Sequence, residues 1–280
     1  MTYKLDLKQI TILLSRMAEA LERIAPSYQF PDNLEKAEGF IWEAQLRKLQ
    51  TIEEIERLPL SCLLGIEPQK RELLENSRAF ARGLKANNAL LWGARGTGKS
   101  SLLKAVHGQI LSEGLDCAIV EIQREDIQDL PHIMQVLKHS NRRFILFCDD
   151  LAFEEADSSY KSLKAVLEGG LSGRPDNIVF YATSNRRHLM PRQMIDNERG
   201  SAINPSEAIE EKISLSDRFG LWIGFHSVDQ DTYLSMIESY VVFYELPVDL
   251  EQTKSQALTW CMGRGHRSGR TAYQFIIHLA

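Results

Sequence analysis

A glycine-rich run of eight residues constrains this chain more than any other feature. Residues 93–100 read GARGTGKS and fit G-x-x-x-x-G-K-[ST], the pattern of a phosphate-binding loop. Its three glycines let the backbone turn sharply and bring its N–H groups close to an anion. In such a loop the lysine reaches the β- and γ-phosphates, and the serine hydroxyl coordinates Mg²⁺. The residues predicted to surround the phosphates are Gly93, Ala94, Arg95, Gly96, Thr97, Gly98, Lys99, Ser100 and Ser101.

The flanks of this run supply the secondary structure that phosphate binding requires. Residues 89–92 form an apolar run typical of a buried strand, and apolar residues recur at helical spacing over 102–110. A strand, a loop and a helix N-terminus therefore follow in order. Four later apolar runs predict further strands that alternate with helices, at 117–122, 144–148, 178–183 and 221–225. This alternation predicts an α/β fold with a parallel five-stranded sheet covered on both faces.

Composition excludes several classes of protein. The chain is 44% hydrophobic and 25% charged, which is ordinary for a globular protein. A net charge of −5 argues against broad non-specific binding of nucleic acid. The four cysteines lie far apart with no metal-type spacing, and two of them, Cys117 and Cys148, fall in apolar runs that predict burial. No signal-peptide pattern and no run long enough to span a membrane is present, so we expect a cytoplasmic protein.

The ends of the chain are predicted to be helical. Residues Leu5 to Ile24 form an amphipathic pattern, and a second helical stretch is predicted from Phe40 to Leu58. These helices either pack on the neighbouring core or form a partner-binding module. After Ser227 the pattern turns helical again. We therefore predict a helical N-terminal domain (1–60), an α/β nucleotide-binding domain (61–226) and a C-terminal helical lid (227–280).

Polar residues follow two of the predicted strands. Asp149 and Asp150 follow the strand at 144–148, and Asn185 follows the strand at 178–183. Ligands of open α/β sheets bind at the carboxyl ends of strands, so Asp149 can hold Mg²⁺ opposite Ser100. Asp150 can polarise an attacking water, and Asn185 can orient it. The alternatives are a helix cap or turn residue for Asp149, a solvent-facing carboxylate for Asp150 and a turn residue for Asn185.

Two arginines are candidates to stabilise negative charge on a γ-phosphate. Arg218 lies just before the last predicted strand, and Arg270 lies at the start of a late helix. The cluster from Arg264 to Arg270 can alternatively be a patch for nucleic acid or an acidic partner. His107 and His188 have no metal-like neighbours and are interpreted as structural or solvated residues.

These features together resemble the AAA+ ATPases over residues 61–280. Several strings are similar to those of a group of functionally uncharacterised bacterial AAA+ ATP-binding proteins: FCDD at 147–150, TSNRRH at 183–188, EEKISLSDRFG at 210–220 and RSGR at 267–270. The resemblance implies a P-loop core with Walker A at 93–100 and Walker B at 144–150.

The resemblance also implies roles for single residues. Asn185 takes the place of sensor 1, Arg218 that of an arginine finger, and Arg270 that of sensor 2, with Arg267 as the alternative. The segment Leu64, Gly65 and Ile66 stands where the family contacts adenine. ATP and Mg²⁺ are the implied cofactors, and nucleotide-dependent homo-oligomers are implied because the finger of one subunit completes the site of its neighbour.

One departure from the family pattern concerns hydrolysis. Walker B usually ends in Asp-Glu, whereas this chain has Asp149-Asp150, whose second carboxylate is one methylene shorter. Three hypotheses follow: an oligomeric ATPase that remodels an unknown protein partner, an ATP-gated binding module with little hydrolysis, and a DNA loader or initiator. The acidic balance disfavours the third, and no membrane partner is expected.

Overall fold

The computed structural model describes residues 7–24, 34–153, 159–168, 173–187, 189, 215 and 217–279. These described residues contain seven strands and eight α-helices. Two short 3₁₀ helices cover Leu60–Cys62 and Arg124–Asp129. In chain order the elements are α1 (Leu7–Ile24), β1 (Gly39–Glu43), β2 (Lys48–Ile52), α2 (Glu67–Ala81), β3 (Ala89–Gly93), α3 (Lys99–Ser112), β4 (Ala118–Glu121), α4 (Leu130–Leu137), β5 (Phe144–Cys148), α5 (Tyr160–Glu168), β6 (Ile178–Ser184), β7 (Leu221–Phe225), α6 (Gln230–Phe243), α7 (Leu250–Gly263) and α8 (Gly269–Leu279).

All seven strands join one sheet in the order β2-β1-β4-β5-β6-β3-β7. β1 and β2 pair antiparallel, and the other pairs are parallel. Every residue of β5 and β6 is buried, which explains why these strands are continuous apolar runs. The parallel order brings the carboxyl ends of β3, β5 and β6 to one edge, where the loop and the polar strand ends predicted from the sequence meet.

The predicted strand count was wrong by two, because residues 40–58 do not form a helix. Residues 39–52 instead form the β1–β2 hairpin, turned at Arg47 with φ +47°. Phe40 and Trp42 point to one buried face, and Phe40 pairs with Val120 of β4. Aromatic and β-branched residues favour a strand. These residues form β1 rather than a helix because β4 offers an edge with which β1 can pair. The domain boundaries at residues 60 and 226 stay predictions.

Two apolar cores lie on opposite faces of the sheet. Along β3, Leu90 belongs to one core, whereas Ala89 and Leu91 belong to the other, since neighbouring strand residues point to opposite faces. Helices α4 and α5 lie on the first side, and α2 and α3 on the second. The loop that joins β3 to α3 is therefore held between two rigid, fully packed elements.

The C-terminal helices form a third core of their own. Tyr233 and Ile237 of α6 pack with Ala257 of α7 and with Phe275 and Ile276 of α8. The sequence also defines where these helices begin. Asp229 and Asp249 accept hydrogen bonds from backbone N–H groups in the first turns of α6 and α7. Helices α6, α7 and α8 follow Ser227, in agreement with the helical pattern, and share this core. We call these three helices the lid below, while the role of a lid stays a prediction.

Helix α1 differs from the rest of the described structure. It is amphipathic as predicted, but none of its described side chains belongs to the three cores, and it makes no extensive contact with another described element. Apolar side chains along its described part are exposed, among them Ile10, Leu14, Met17 and Leu21. Within the described residues, the packing of α1 on the neighbouring core is therefore not observed. No helix of the described chain has the length and apolarity needed to cross a bilayer.

Candidate functional site

The loop between β3 and α3 has the backbone shape of an anion-binding concavity. Gly93, Gly96 and Gly98 have φ values of +135°, +75° and +91°, which side chains rarely allow. A Cβ at Gly93 would lie 2.0 Å from the carbonyl oxygen of Phe225 in β7. Helix α3 begins directly after Gly98, so its free N–H groups and the positive end of its dipole face the loop.

Lys99 is buried at the base of the loop. Its Nζ donates to the carbonyl oxygens of Gly93 (2.9 Å) and Ala94 (2.8 Å) and to Asn185 Oδ1 (3.1 Å). Burial lowers the pKa of Lys99, and the nearby carboxylates of Asp149 and Asp150 oppose that effect. All three partners are oxygen atoms that accept hydrogen bonds from the ammonium group. The ammonium group can therefore exchange a carbonyl contact for a phosphate oxygen without a large movement.

A second group of polar atoms lies beside the lysine. Ser100 Oγ donates to Asp149 Oδ1 at 2.6 Å, and Thr183 Oγ1 donates to the same carboxylate oxygen. Asp149 follows β5, and Thr183 lies in the neighbouring strand β6. A hydroxyl and a carboxylate in direct contact are the hard oxygen donors that Mg²⁺ prefers, and Mg²⁺ keeps several waters and phosphate oxygens as its other ligands. The pair therefore fits Mg²⁺ held together with a nucleotide.

Asp150 and Asn185 form the third part of the site. Asn185 Nδ2 donates to Asp150 Oδ1, while Asn185 Oδ1 accepts from Lys99. Asp150 has φ +51°, in the left-handed region, and its N–H donates to Thr183 Oγ1 at 2.9 Å. Asparagine thus connects the lysine to the second carboxylate of Walker B. The three strand-end residues predicted from the sequence are brought together with the loop.

One cleft of about 740 Å³ contains these groups and extends beyond them to an end lined by apolar, aromatic and charged residues. The predicted adenine segment contributes Leu64 and Ile66 to its lining. Gly65 does not line the cleft; its φ of +75° lets the segment pass Thr232 of the lid, since a Cβ there would be 2.5 Å from Thr232 Cγ2. Sequence reasoning missed the aromatic and charged part of this end, which consists of Glu56, Arg57, Tyr240, Tyr244 and Tyr273.

The lid meets the loop at the start of α8. The N–H of Arg270 donates to the carbonyl oxygen of Gly96 at 3.1 Å, and Arg270 lines the cleft. Arg267, the alternative for the same role, donates to Gln230 Oε1 at 3.2 Å and is not part of the cleft lining. Arg264 stacks on the Trp260 ring at 3.6 Å. The arginines of 264–270 therefore have different surroundings, and only Arg270 among these three lines the cleft.

Arg218, like Gly65, is a predicted site residue that does not line the cleft. It does not line the cleft of its own subunit, and its Nη2 pairs with Glu168 Oε1 at 2.5 Å at the end of α5. The buried Nε of Arg218 has no hydrogen-bond partner among the described residues. Arg218 therefore makes no contact with the cleft of its own chain in this structure.

His107 lies on α3 behind the loop, fully buried. Its Nε2 lies 2.9 Å from the carbonyl oxygen of Cys117, and its Nδ1 lies 3.4 Å from Arg57 Nη1. Burial lowers the pKa of His107 to about 4, so the ring is neutral at pH 7 and has a structural role. Arg57 also pairs with Glu38, which ties the cleft wall to the sheet. His188 lies outside the described residues.

The chain matches a protein family and a curated relative by sequence. A family model described as "Protein of unknown function (DUF815)" matches residues 35–280. A probable mitochondrial chaperone, BCS1-A of Dictyostelium discoideum, is 26% identical over 216 residues, which are 68% of this chain and 45% of that protein. The chain therefore spans about half the length of this curated relative.

The chain also resembles solved structures. A mutant of Thermotoga maritima RuvB superposes with a TM-score of 0.51 at 15% identity, covering 79% of this chain and 65% of that one. The Aeropyrum pernix Orc1 protein in complex with DNA gives a TM-score of 0.49 at 15% identity, over 75% of this chain and 60% of that chain. The likeness to RuvB shows the fold, and the predicted AAA+ architecture is confirmed.

Proposed function

The chain belongs to the DUF815 family, and we propose that it is an AAA+ ATPase that binds ATP with Mg²⁺ and hydrolyses it in an oligomer. One observation carries this proposal. Lys99, the Ser100–Asp149 pair and the Asp150–Asn185 pair line the same cleft as the phosphate loop. Phosphoryl transfer requires a contact to the phosphate, a metal site and a carboxylate that positions the attacking water.

Each part of the site is proposed to contact a different part of the bound nucleotide. The loop N–H groups and the α3 dipole bind the phosphates, and Lys99 contacts the β- and γ-phosphates. Ser100 and Asp149 would hold Mg²⁺, which when bound neutralises charge on these phosphates. The apolar side chains of Leu64 and Ile66 in the lining of the cleft contact the base.

Asp150 is proposed to accept a proton from the attacking water. Its contact with Asn185 holds the carboxylate beside Lys99, where the γ-phosphate is expected. Because Asp150 lacks one methylene of the usual glutamate, we expect slow turnover. Arg270 is proposed as the sensor of the nucleotide from the lid, since its N–H already contacts Gly96.

Hydrolysis is proposed to depend on assembly, because Arg218 lies outside the cleft of its own subunit. An arginine finger supplied by a neighbour contributes about 10³–10⁵ in rate. Its planar guanidinium offers two donors to phosphate oxygens in a geometry that lysine lacks. The curated relative is named as a probable chaperone, which supports a protein as the partner that this motion acts on.

Binding is tested by titrating ATP into Lys99→Ala in a calorimeter. We expect the affinity to fall by at least about 100-fold, because a buried charge contact to the phosphates is lost. Lys85→Ala is the matched control, since Lys85 is exposed and outside the cleft. Unchanged affinity in Lys99→Ala would refute the site.

The role of Arg218 is tested by mixing two inactive variants. Arg218→Ala subunits keep Asp150, and Asp150→Asn subunits keep Arg218, so a 1:1 mixed ring of head-to-tail contacts has both groups at about a quarter of its interfaces. We expect the mixture to recover turnover that neither variant shows alone. A confirmed mixed oligomer without recovery contradicts a finger acting between subunits.

A second candidate is an ATP-gated binding module with little hydrolysis. The observation that favours it is Asp150 itself, which is short and held by Asn185. Turnover measured against protein concentration separates the two functions. A rate per subunit that rises with assembly supports the ATPase, and tight ATP binding with negligible turnover at every concentration supports the module.

A further inference from the structure

Helix α1 presents an apolar surface that the nucleotide site does not use. The family match begins at residue 35, so α1 lies outside it. Its side chains at Ile10, Leu14, Met17 and Leu21 are all exposed, and no described core reaches them. A helix of 18 residues is about 27 Å long, long enough to form a continuous contact with another helix.

The spacing of these residues identifies the kind of surface that covers them. Apolar residues recur at alternating intervals of three and four, which gives the 3.5-residue period of a coiled coil. Intervals of three lead from position a to position d of each heptad, and the register with leucine or isoleucine at most of these positions starts at Leu7. Position a is occupied by Leu7, Leu14 and Leu21, and position d by Ile10, Met17 and Ile24.

The residues beside this seam suit contact between identical helices. Positions e and g hold Thr11, Leu13, Ala18 and Ala20, so no charge at the edge of the seam repels its own copy. A membrane surface fits less well, because interfacial helices have a polar face rich in basic residues. The polar positions of α1 instead mix the two signs, with Lys8, Arg16 and Arg23 against Glu19 and Glu22.

We propose that α1 assembles with α1 of other copies of this chain in a parallel coiled coil. Leucine at position a with isoleucine at position d favours more than two strands, and small or apolar residues at e and g widen the seam accordingly. The contact forms without nucleotide. It is therefore independent of the proposed ATPase cycle, and Lys99→Ala protein is expected to retain it.

The test compares two equally exposed residues of the 280-residue chain. Leu14 at position a is 59% exposed and Ile12 at position f is 60% exposed, so they differ mainly in their place relative to the seam. Mass is measured by sedimentation over about 0.1–100 µM protein without nucleotide. We expect assembly of wild type and of Ile12→Glu, and at least about a tenfold weaker assembly of Leu14→Glu, because the seam then buries carboxylates.

Each other outcome overturns the proposal. A monomeric wild-type chain would mean that a different partner or a lipid surface covers α1. Equal weakening in both variants would mean that the seam is not used. Unchanged mass with a lower unfolding temperature in Leu14→Glu alone would mean that α1 packs on its own core.

A cross-link tests the direction of the helices. Met17→Cys places thiols at the same level of a parallel seam, whereas in an antiparallel pair Met17 lies opposite Leu14. The four native cysteines are buried, so the new thiol is the accessible one among the described residues. With an added disulfide oxidant we expect Met17→Cys to form covalent dimers and Ile12→Cys to form few. The reverse result refutes the parallel seam.

Discussion

Acidification should destabilise this protein through His107. The ring is fully buried, and its Nε2 faces a carbonyl oxygen, which can only accept a hydrogen bond. Nε2 therefore carries the proton, and Nδ1 is left as the acceptor for Arg57. A second proton would place a positive charge in a buried site beside a guanidinium, which is why the pKa falls to about 4.

The size of the effect follows from the two protonation states. The unfolded chain binds a proton with a pKa near 6.5, and the folded chain does so only near 4. The stability that the neutral buried ring contributes is fully present above the unfolded pKa, and it is lost as the pH falls from about 6.5 towards about 4. Between pH 7 and about 4.5, we expect His107 to remove about 2–3 kcal/mol from the free energy of unfolding, since each pKa unit is worth about 1.4 kcal/mol.

The assay is urea unfolding of wild type and His107→Gln at both pH values. Glutamine keeps an N–H donor for Cys117 but does not titrate in this range. Paired carboxylates also lose stabilisation on acidification, Glu113 for example, whose pKa Arg78 lowers to about 2, but they do so in both proteins. For each protein, the free energy of unfolding at about pH 4.5 is subtracted from the value at pH 7, and the difference between wild type and His107→Gln isolates His107. Losses that agree within about 0.5 kcal/mol in the two proteins would refute the role of His107.

Three substitutions test other parts of the structure. Gly93→Ala should lower the free energy of unfolding by about 3 kcal/mol or more, because the added Cβ meets a carbonyl oxygen of β7. Gly114→Ala is the control, since Gly114 also has a positive φ but lies in open space, and a urea melt should show a smaller loss for it. Ser100→Ala should bind ATP in EDTA as wild type does but lose the gain in affinity that Mg²⁺ gives, measured by calorimetry; a retained Mg²⁺ effect would exclude Ser100 as a ligand. Glu168→Gln should cost less than about 1 kcal/mol in a urea melt, because its pair with Arg218 is partly exposed; a larger loss would mean that the pair is structural.

The parts of the site that the sequence predicted are those set by local patterns. The loop needs glycines at fixed positions, and Asp149, Asp150 and Asn185 follow apolar runs that could only be buried strands. Parallel strand order then brings these ends together without further information. The local pattern was sufficient because each residue stands at the boundary of an element that its own neighbours define.

The features that were missed depend on distant contacts. Residues 39–52 became a hairpin because β4, some eighty residues later, offers an edge to pair with. The tyrosines of the cleft come from two lid helices whose mutual packing no spacing predicts. Arg267 and Arg270 lie three residues apart, yet Arg267 donates to Gln230 whereas the N–H of Arg270 donates to Gly96, and no sequence pattern distinguishes the two.

That bond joins the lid to the loop through the main chain at the very start of α8. The helix is 11 residues long, about 16 Å, and its far end is carried with the lid core. A rotation of about 10° at Gly96 would therefore move the end of α8 by about 3 Å. Because displacement grows with distance from Gly96, a turn of the loop backbone on nucleotide binding would move the far end of α8 more than the loop itself.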